Sequence, residues 1–136
     1  MAVKDSELIR AQELARSGFL YAPASFKVAT LEQLKKACDG CGARGSWFRL
    51  PKRMYGTLIV FACIIHDWMY WKGLTIEDKK EADRVMQNNT DRLIEEDEGK
   101  WYKPSRLQYL RSRIYYLGVS WFGGRAFWKG KNSAQT

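Results

Sequence analysis

Histidine is nearly absent from this chain. Its one imidazole is His66, so any histidine chemistry must run through that side chain. Cysteine is sparse as well, and three cysteines exclude a disulfide-rich scaffold. No apolar run reaches the roughly 20 residues of a membrane-spanning helix. The longest, Leu58 to Ile65, is interrupted by His66 and Asp67. The opening segment MAVKDSELIR lacks the apolar stretch of a secretory signal. The expectation is therefore synthesis in the cytoplasm, with export by another route or carriage in a virion if the protein acts elsewhere. Internal repeats, low-complexity tracts, linkers and convincing strand alternation are also missing. Residues 1–136 thus read as one mostly α domain, with room for a short hairpin in the loops.

Acidic residues are missing from one long segment. From Lys100 to Lys131 every charged side chain is basic, and Tyr102, Trp121, Phe122, Phe127 and Trp128 lie among them. Upstream, from Glu77 to Glu98, acidic residues lead. Over the whole chain 23 Lys and Arg outnumber 15 Asp and Glu, for a net charge of +8. Such a surface favours anionic partners, and the basic aromatic region 100–131 suits an anionic membrane surface.

Helix signals are clear in several places. Ser6 to Ser17 reads as a helix capped by Ser6, with Leu8, Ile9 and Leu14 on one face and Gly18 past its end. Phe19 to Ala29 reads as irregular. Thr30 and Gln33 form a capping pattern for a short helix. Glycines at 40, 42 and 45 mark Asp39 to Pro51 as a structured loop. Thr57 to Trp71 is apolar on nearly every side and so belongs in the core. After the connector Lys72-Gly73-Leu74, Thr75 and Asp78 cap a helix to about Glu96. Its inner face is Ala82, Val85, Met86, Asn89 and Leu93. Pro104 and Ser105 open a last helix, with Leu107, Leu110, Ile114 and Leu117 in one stripe.

Two helices joined by a short turn run antiparallel. A turn centred between Leu74 and Thr75 places His66 and Asp83 at equal distances from it. An imidazole should then face a carboxylate across the pair. Tyr70, four residues after His66, shares that face. A carboxylate on one ring nitrogen fixes the tautomer and leaves the other nitrogen to take a proton. Asp67 lies about 100° further round the helix. As a second buried carboxylate it needs a partner: a lysine, an arginine or a metal. Glycines that turn backbone carbonyls toward one point would supply hard oxygen ligands of the kind calcium prefers.

Three ordered patterns, Gly40-Cys41-Gly42-Ala43-Arg44-Gly45, Cys63-Ile64-Ile65-His66-Asp67-Trp68-Met69-Tyr70 and Ala82-Asp83-Arg84, resemble the calcium-dependent phospholipase A2 superfamily. The matched core covers about residues 38 to 90, less than half the chain. The resemblance implies a phospholipase A2-like fold, with two antiparallel core helices carrying the His-Asp site beside a glycine-rich metal loop. It implies hydrolysis of the sn-2 acyl ester of a glycerophospholipid. His66 would be the general base, Asp83 would support it, and Tyr70 would hydrogen-bond Asp83. Calcium would be held by Asp67 and by carbonyls of Gly40, Gly42 and a residue near Arg44. The Gly42 N–H would help at the oxyanion. Cys41 and Cys63 match a family disulfide between loop and helix. The implied partner is a phospholipid surface, anionic by preference, with no nucleic acid expected. Arg44 stands near a position where the family usually has glycine. That either shifts the third ligand to Gly45 or abolishes tight calcium binding.

Two rival readings carry different chemistry. Cys38, Cys41, Cys63 and His66 have pair spacings that suit a structural zinc site in a basic binding module. Alternatively, Arg44 marks a phospholipase-like fold that has lost activity and serves as a structural or interaction protein. Trp68 and Trp71 read as core, whereas Trp47 and Phe48 are better placed to touch lipid.

Overall fold

The computed structural model describes residues 3–38, 53–54, 57–96 and 113. Among these the protein is mostly helical. The order is α1 (Asp5–Arg16), α2 (Ala24–Lys27), α3 (Leu31–Ala37), β1 (Arg53–Met54), β2 (Thr57–Leu58), α4 (Val60–Lys72) and α5 (Ile76–Glu96). The expected glycine loop and C-terminal helix lie outside the described residues. Of the latter only Arg113 is described, as helical and exposed. Among the described residues no helix is long and apolar enough to cross a membrane.

α4 is the centre of the packing. Val60, Ala62, Ile64, Ile65 and Trp68 are buried on it, as expected of a helix that is apolar nearly all round. α5 and α1 pack most extensively against it, and α3 lies alongside. α1 contributes Leu8, Ala11 and Ala15 to the shared core, α3 contributes Leu34, and α5 contributes Val85 and Leu93. The inner face read from the α5 sequence is buried at every position named, Ala82, Val85, Met86, Asn89 and Leu93. Ala11 and Ala15 of α1 are fully buried in this core.

The boundaries follow local chemistry. α1 starts after Lys4 rather than at Ser6. The Lys4 N–H donates to Glu7 Oε1 at 3.0 Å, and Asp5 and Glu7 set negative charge in the first turn. α1 ends as expected at Gly18, whose φ of +88° is the left-handed region glycine enters at little cost. Gly18 N–H then reaches Ala15 O and Phe19 N–H reaches Leu14 O, both at 3.1 Å, which satisfies the last carbonyls. Ile9, expected on the inner face, is 45% exposed, because Leu8, Ala11 and Ala15 define that face. Thr30 and Gln33 close the predicted capping box, at 3.0 and 3.2 Å.

The segment expected to be irregular, Phe19 to Ala29, contains the one-turn helix α2, entered at Pro23. Side chains from neighbouring helices hold its backbone. Gln12 Nε2 donates to Phe26 O and Ala29 O at 3.0 and 2.8 Å. Asn89 accepts the Tyr21 N–H and donates to Tyr21 O, both at 2.9 Å. Arg92 donates to Phe19 O at 3.1 Å. Backbone groups of Phe19, Tyr21, Phe26 and Ala29 are thus paired without a sheet.

α4 begins at Val60 instead of Thr57. Thr57 and Leu58 pair antiparallel with Met54 and Arg53, so the chain enters the helix from a hairpin. Gly73 N–H bonds Met69 O at 2.9 Å and closes α4. The connector is then capped from the far side. Asp78 Oδ2 accepts the N–H groups of Leu74 and Thr75 at 2.9 and 3.1 Å, and Asp78 N–H donates to Thr75 Oγ1 at 3.1 Å. This reciprocal cap fixes a three-residue turn and hence the register of α4 on α5.

Candidate active site: a histidine, an aspartate and a buried lysine

The short turn sets His66 of α4 against Asp83 of α5. Nε2 of His66 lies 2.8 Å from Asp83 Oδ1, and both side chains are buried. Tyr70, one turn along α4, donates its hydroxyl to the same Oδ1 at 2.5 Å. Its ring centroid is 4.0 Å from that of His66. The other carboxylate oxygen, Oδ2, accepts Lys79 Nζ at 2.9 Å. Lys79 is itself only 4% exposed. Asp83 thus accepts three donors, two from α4 and one from its own helix.

The electrostatics follow from this arrangement. Burial pushes the Asp83 carboxyl upward. The His66 hydrogen bond and charge, then the Tyr70 and Lys79 donors, outweigh it and hold the carboxyl below its usual range. Asp83 is therefore an anion at neutral pH and accepts only. Nε2 must carry the proton in that bond, so Nδ1 of the neutral ring is the basic nitrogen. Among the described residues no hydrogen bond engages Nδ1. Burial, and next the charge of Asp83, push the Tyr70 hydroxyl far above the ordinary tyrosine range, with smaller contributions from its bond to Asp83 and from Asp67. Tyr70 stays a donor throughout the neutral range.

Asp67 is half-buried on α4, one residue past His66. It is the only residue of the expected calcium set among the described residues. Gly40, Gly42 and Arg44, with the Gly42 oxyanion donor, lie outside them. A carboxylate beside the His66 position is a hard oxygen donor and fits calcium. Among the described residues no group of three or more His, Cys, Asp or Glu side chains converges as a metal cage.

The zinc set does not assemble. Cys63 is disulfide-bonded, so its sulfur is no thiolate ligand. Cys38 is a buried thiol whose Sγ donates to Ile64 O at 3.4 Å. His66 is turned to Asp83. The disulfide partner of Cys63 lies outside the described residues, as Cys41 does. Trp68 is core, as expected: it stacks edge-on to Phe26 at 6.0 Å and donates to Ser25 Oγ at 3.1 Å. Trp71 is not core. It is 43% exposed, under the Lys72 ammonium 5.9 Å from its ring. Trp47 and Phe48 lie outside the described residues. A surface depression lined by Gly18, Phe19, Arg92 and Glu95 lies further along α5 and contains none of the site residues.

The sequence reading missed Lys79. Its signal was present: Lys79 precedes Asp83 by four residues, the spacing at which helical side chains meet. In comparisons with protein families, curated proteins and solved structures, nothing matches this chain.

Proposed function

We propose that this protein is a calcium-dependent lipid ester hydrolase of the phospholipase A2 type, cleaving the sn-2 acyl ester of glycerophospholipids at an anionic surface. One observation carries the reading. Asp83 takes Nε2–H of the only histidine and leaves Nδ1 as a base.

In this mechanism Nδ1 of His66 takes a proton from water as the water attacks the ester carbonyl. The imidazolium that forms is stabilised by the Asp83 anion, which also keeps the ring from turning. The same proton then passes from Nδ1 to the leaving alkoxide. Tyr70 and Lys79 keep the carboxylate fixed on both oxygens. Asp67, with the carbonyls of Gly40, Gly42 and a residue near Arg44, would hold the ion, and the Gly42 N–H would donate to the oxyanion. Calcium, when bound, supplies positive charge for that oxyanion. The net charge of +8 favours adsorption to anionic lipid.

A second reading rests on Arg44, where a side chain near a glycine position of the metal loop favours a fold without activity. Acyl release from mixed anionic vesicles separates the two. With calcium, the wild type should release acyl chains, and His66→Gln should lose about 10²–10⁴-fold of that rate while remaining folded. Equal release by the variant removes His66 as base. No release by either protein favours the inactive fold.

A further inference from the structure

We propose that Lys79 is a positioning residue of the His66–Asp83 pair: its ammonium pins Asp83 Oδ2, so that Oδ1 stays aimed at His66 Nε2. The proposal deepens the hydrolase reading and rests on it for its catalytic consequence. The geometric claim stands apart from that reading.

A lysine is almost never fully buried unless paired. Its neighbour Lys80 is exposed, so α5 has a solvent face available for a lysine one step away. Position 79 instead shares the inner stripe with Ala82, Asp83 and Met86, all buried. An apolar side chain there would pack without the desolvation cost of an ammonium. The lysine therefore answers a specific need of its partner.

That need is visible at Asp83. A carboxylate has two oxygens and turns about its last side-chain bond. Oδ1 already accepts His66 Nε2 and Tyr70 Oη, at 2.8 and 2.5 Å. With Oδ2 unsatisfied, the buried carboxylate would rotate to share its donors between the two oxygens, and the imidazole would follow. Lys79 Nζ at 2.9 Å holds Oδ2 and makes the two oxygens inequivalent. The four-residue spacing along α5 delivers the ammonium from the same rigid helix, so the contact needs no moving part. Nζ also lies 5.9 Å from the Tyr70 ring, which keeps the two donors of opposite oxygens in one packed unit. An orientation fault at a base costs rate without touching the lipid. The loss should therefore fall on kcat and leave KM in place.

The single histidine makes the geometric claim directly readable. In nitrogen-15 NMR of the full chain, all imidazole signals belong to His66. The wild type should show one tautomer with a protected, hydrogen-bonded Nε2–H. Lys79→Met should lose that protection or mix tautomers, and Lys79→Arg should restore it. In parallel, on short-chain phosphatidylcholine below its micelle concentration with saturating calcium, Lys79→Met should lower kcat by about 10–100-fold with KM little changed. Lys79→Arg should recover most of it. If Lys79→Met fails to fold, Lys79→Leu, which likewise lacks the donor and the charge, takes its place, and the same spectra are read on it. A folded Lys79→Met or Lys79→Leu with a wild-type imidazole spectrum overturns the proposal, as does a wild-type kcat. A wild type with no hydrolysis refutes the hydrolase reading instead, and the spectra still decide whether Lys79 orients the pair.

Discussion

Replacing Tyr70 by phenylalanine removes one oxygen atom and leaves the ring in place. The lost group is the hydroxyl donating to Asp83 Oδ1 at 2.5 Å. Both partners are buried, so water does not readily take its place. A hydrogen bond to a charged group contributes about 1.5–3 kcal/mol, and His66 and Lys79 still hydrogen-bond the carboxylate, so we expect about 2 kcal/mol of destabilisation. For a chain of this length that lowers the melting temperature by about 5–10 °C. The effect should depend on pH at both ends. Asp83 is held below its usual range, so its contribution is present above the unfolded carboxyl value and is lost as pH falls through the folded one. Tyr70 is pushed above its usual range, so its contribution is present below the unfolded phenol value and declines in alkali, where only the unfolded chain ionises. The gap between wild type and Tyr70→Phe should therefore be flat between about pH 4 and pH 10 and narrow outside that window. Circular-dichroism melts across that pH series measure it. An unchanged melting temperature at neutral pH, or a gap that widens in acid, would refute the assignment of Tyr70 as a donor to an ionised Asp83.

Two further outcomes follow from other parts of the structure. Asp67→Asn should weaken calcium binding by at least about tenfold, because it removes ligand charge. Isothermal titration of the purified chain reads this, and equal affinity in the variant rules out Asp67 as a ligand. Asn89→Ala should cost about 2–4 kcal/mol in urea unfolding, since it strips both hydrogen bonds from the Tyr21 backbone. A wild-type urea midpoint would mean that water replaces the amide there.

Much of the fold was legible because its signals are local. The Thr30–Gln33 and Thr75–Asp78 caps are each set within four residues, and the structure has both. Gly18 ends α1 where the left-handed turn requires it. The inner stripe of α5 followed from its 3.6-residue period. What was misread depends on distant partners. Nothing near Ala24 announces that Gln12 and Asn89 will satisfy the backbone around α2, because those contacts span 14 to 68 residues. Thr57 and Leu58 look helical beside an apolar run, and only pairing with Arg53 and Met54 draws them into a strand. Trp71 lies at the exposed end of α4, where an aromatic residue says little about which side it faces.

The site divides in the same way. The facing of His66 and Asp83 was arithmetic: a short capped turn leaves one register for two antiparallel helices, and equal distances from it meet. Lys79 escaped that arithmetic because lysines four residues from an acid are common on solvated helix faces, where such a pair contributes little. The distinguishing fact is the face, not the pair. Asp83 is fixed inward by His66, and Ala82 and Met86 mark the same stripe, so a lysine one turn before Asp83 must also point inward. Buried there, its ammonium meets the Asp83 carboxylate at 2.9 Å. Once an aspartate is placed on the inner face of a helix, a basic residue four positions before it belongs to the site. Arg84, one step beyond, does not: it pairs with Glu81 at 2.6 Å on the exposed side.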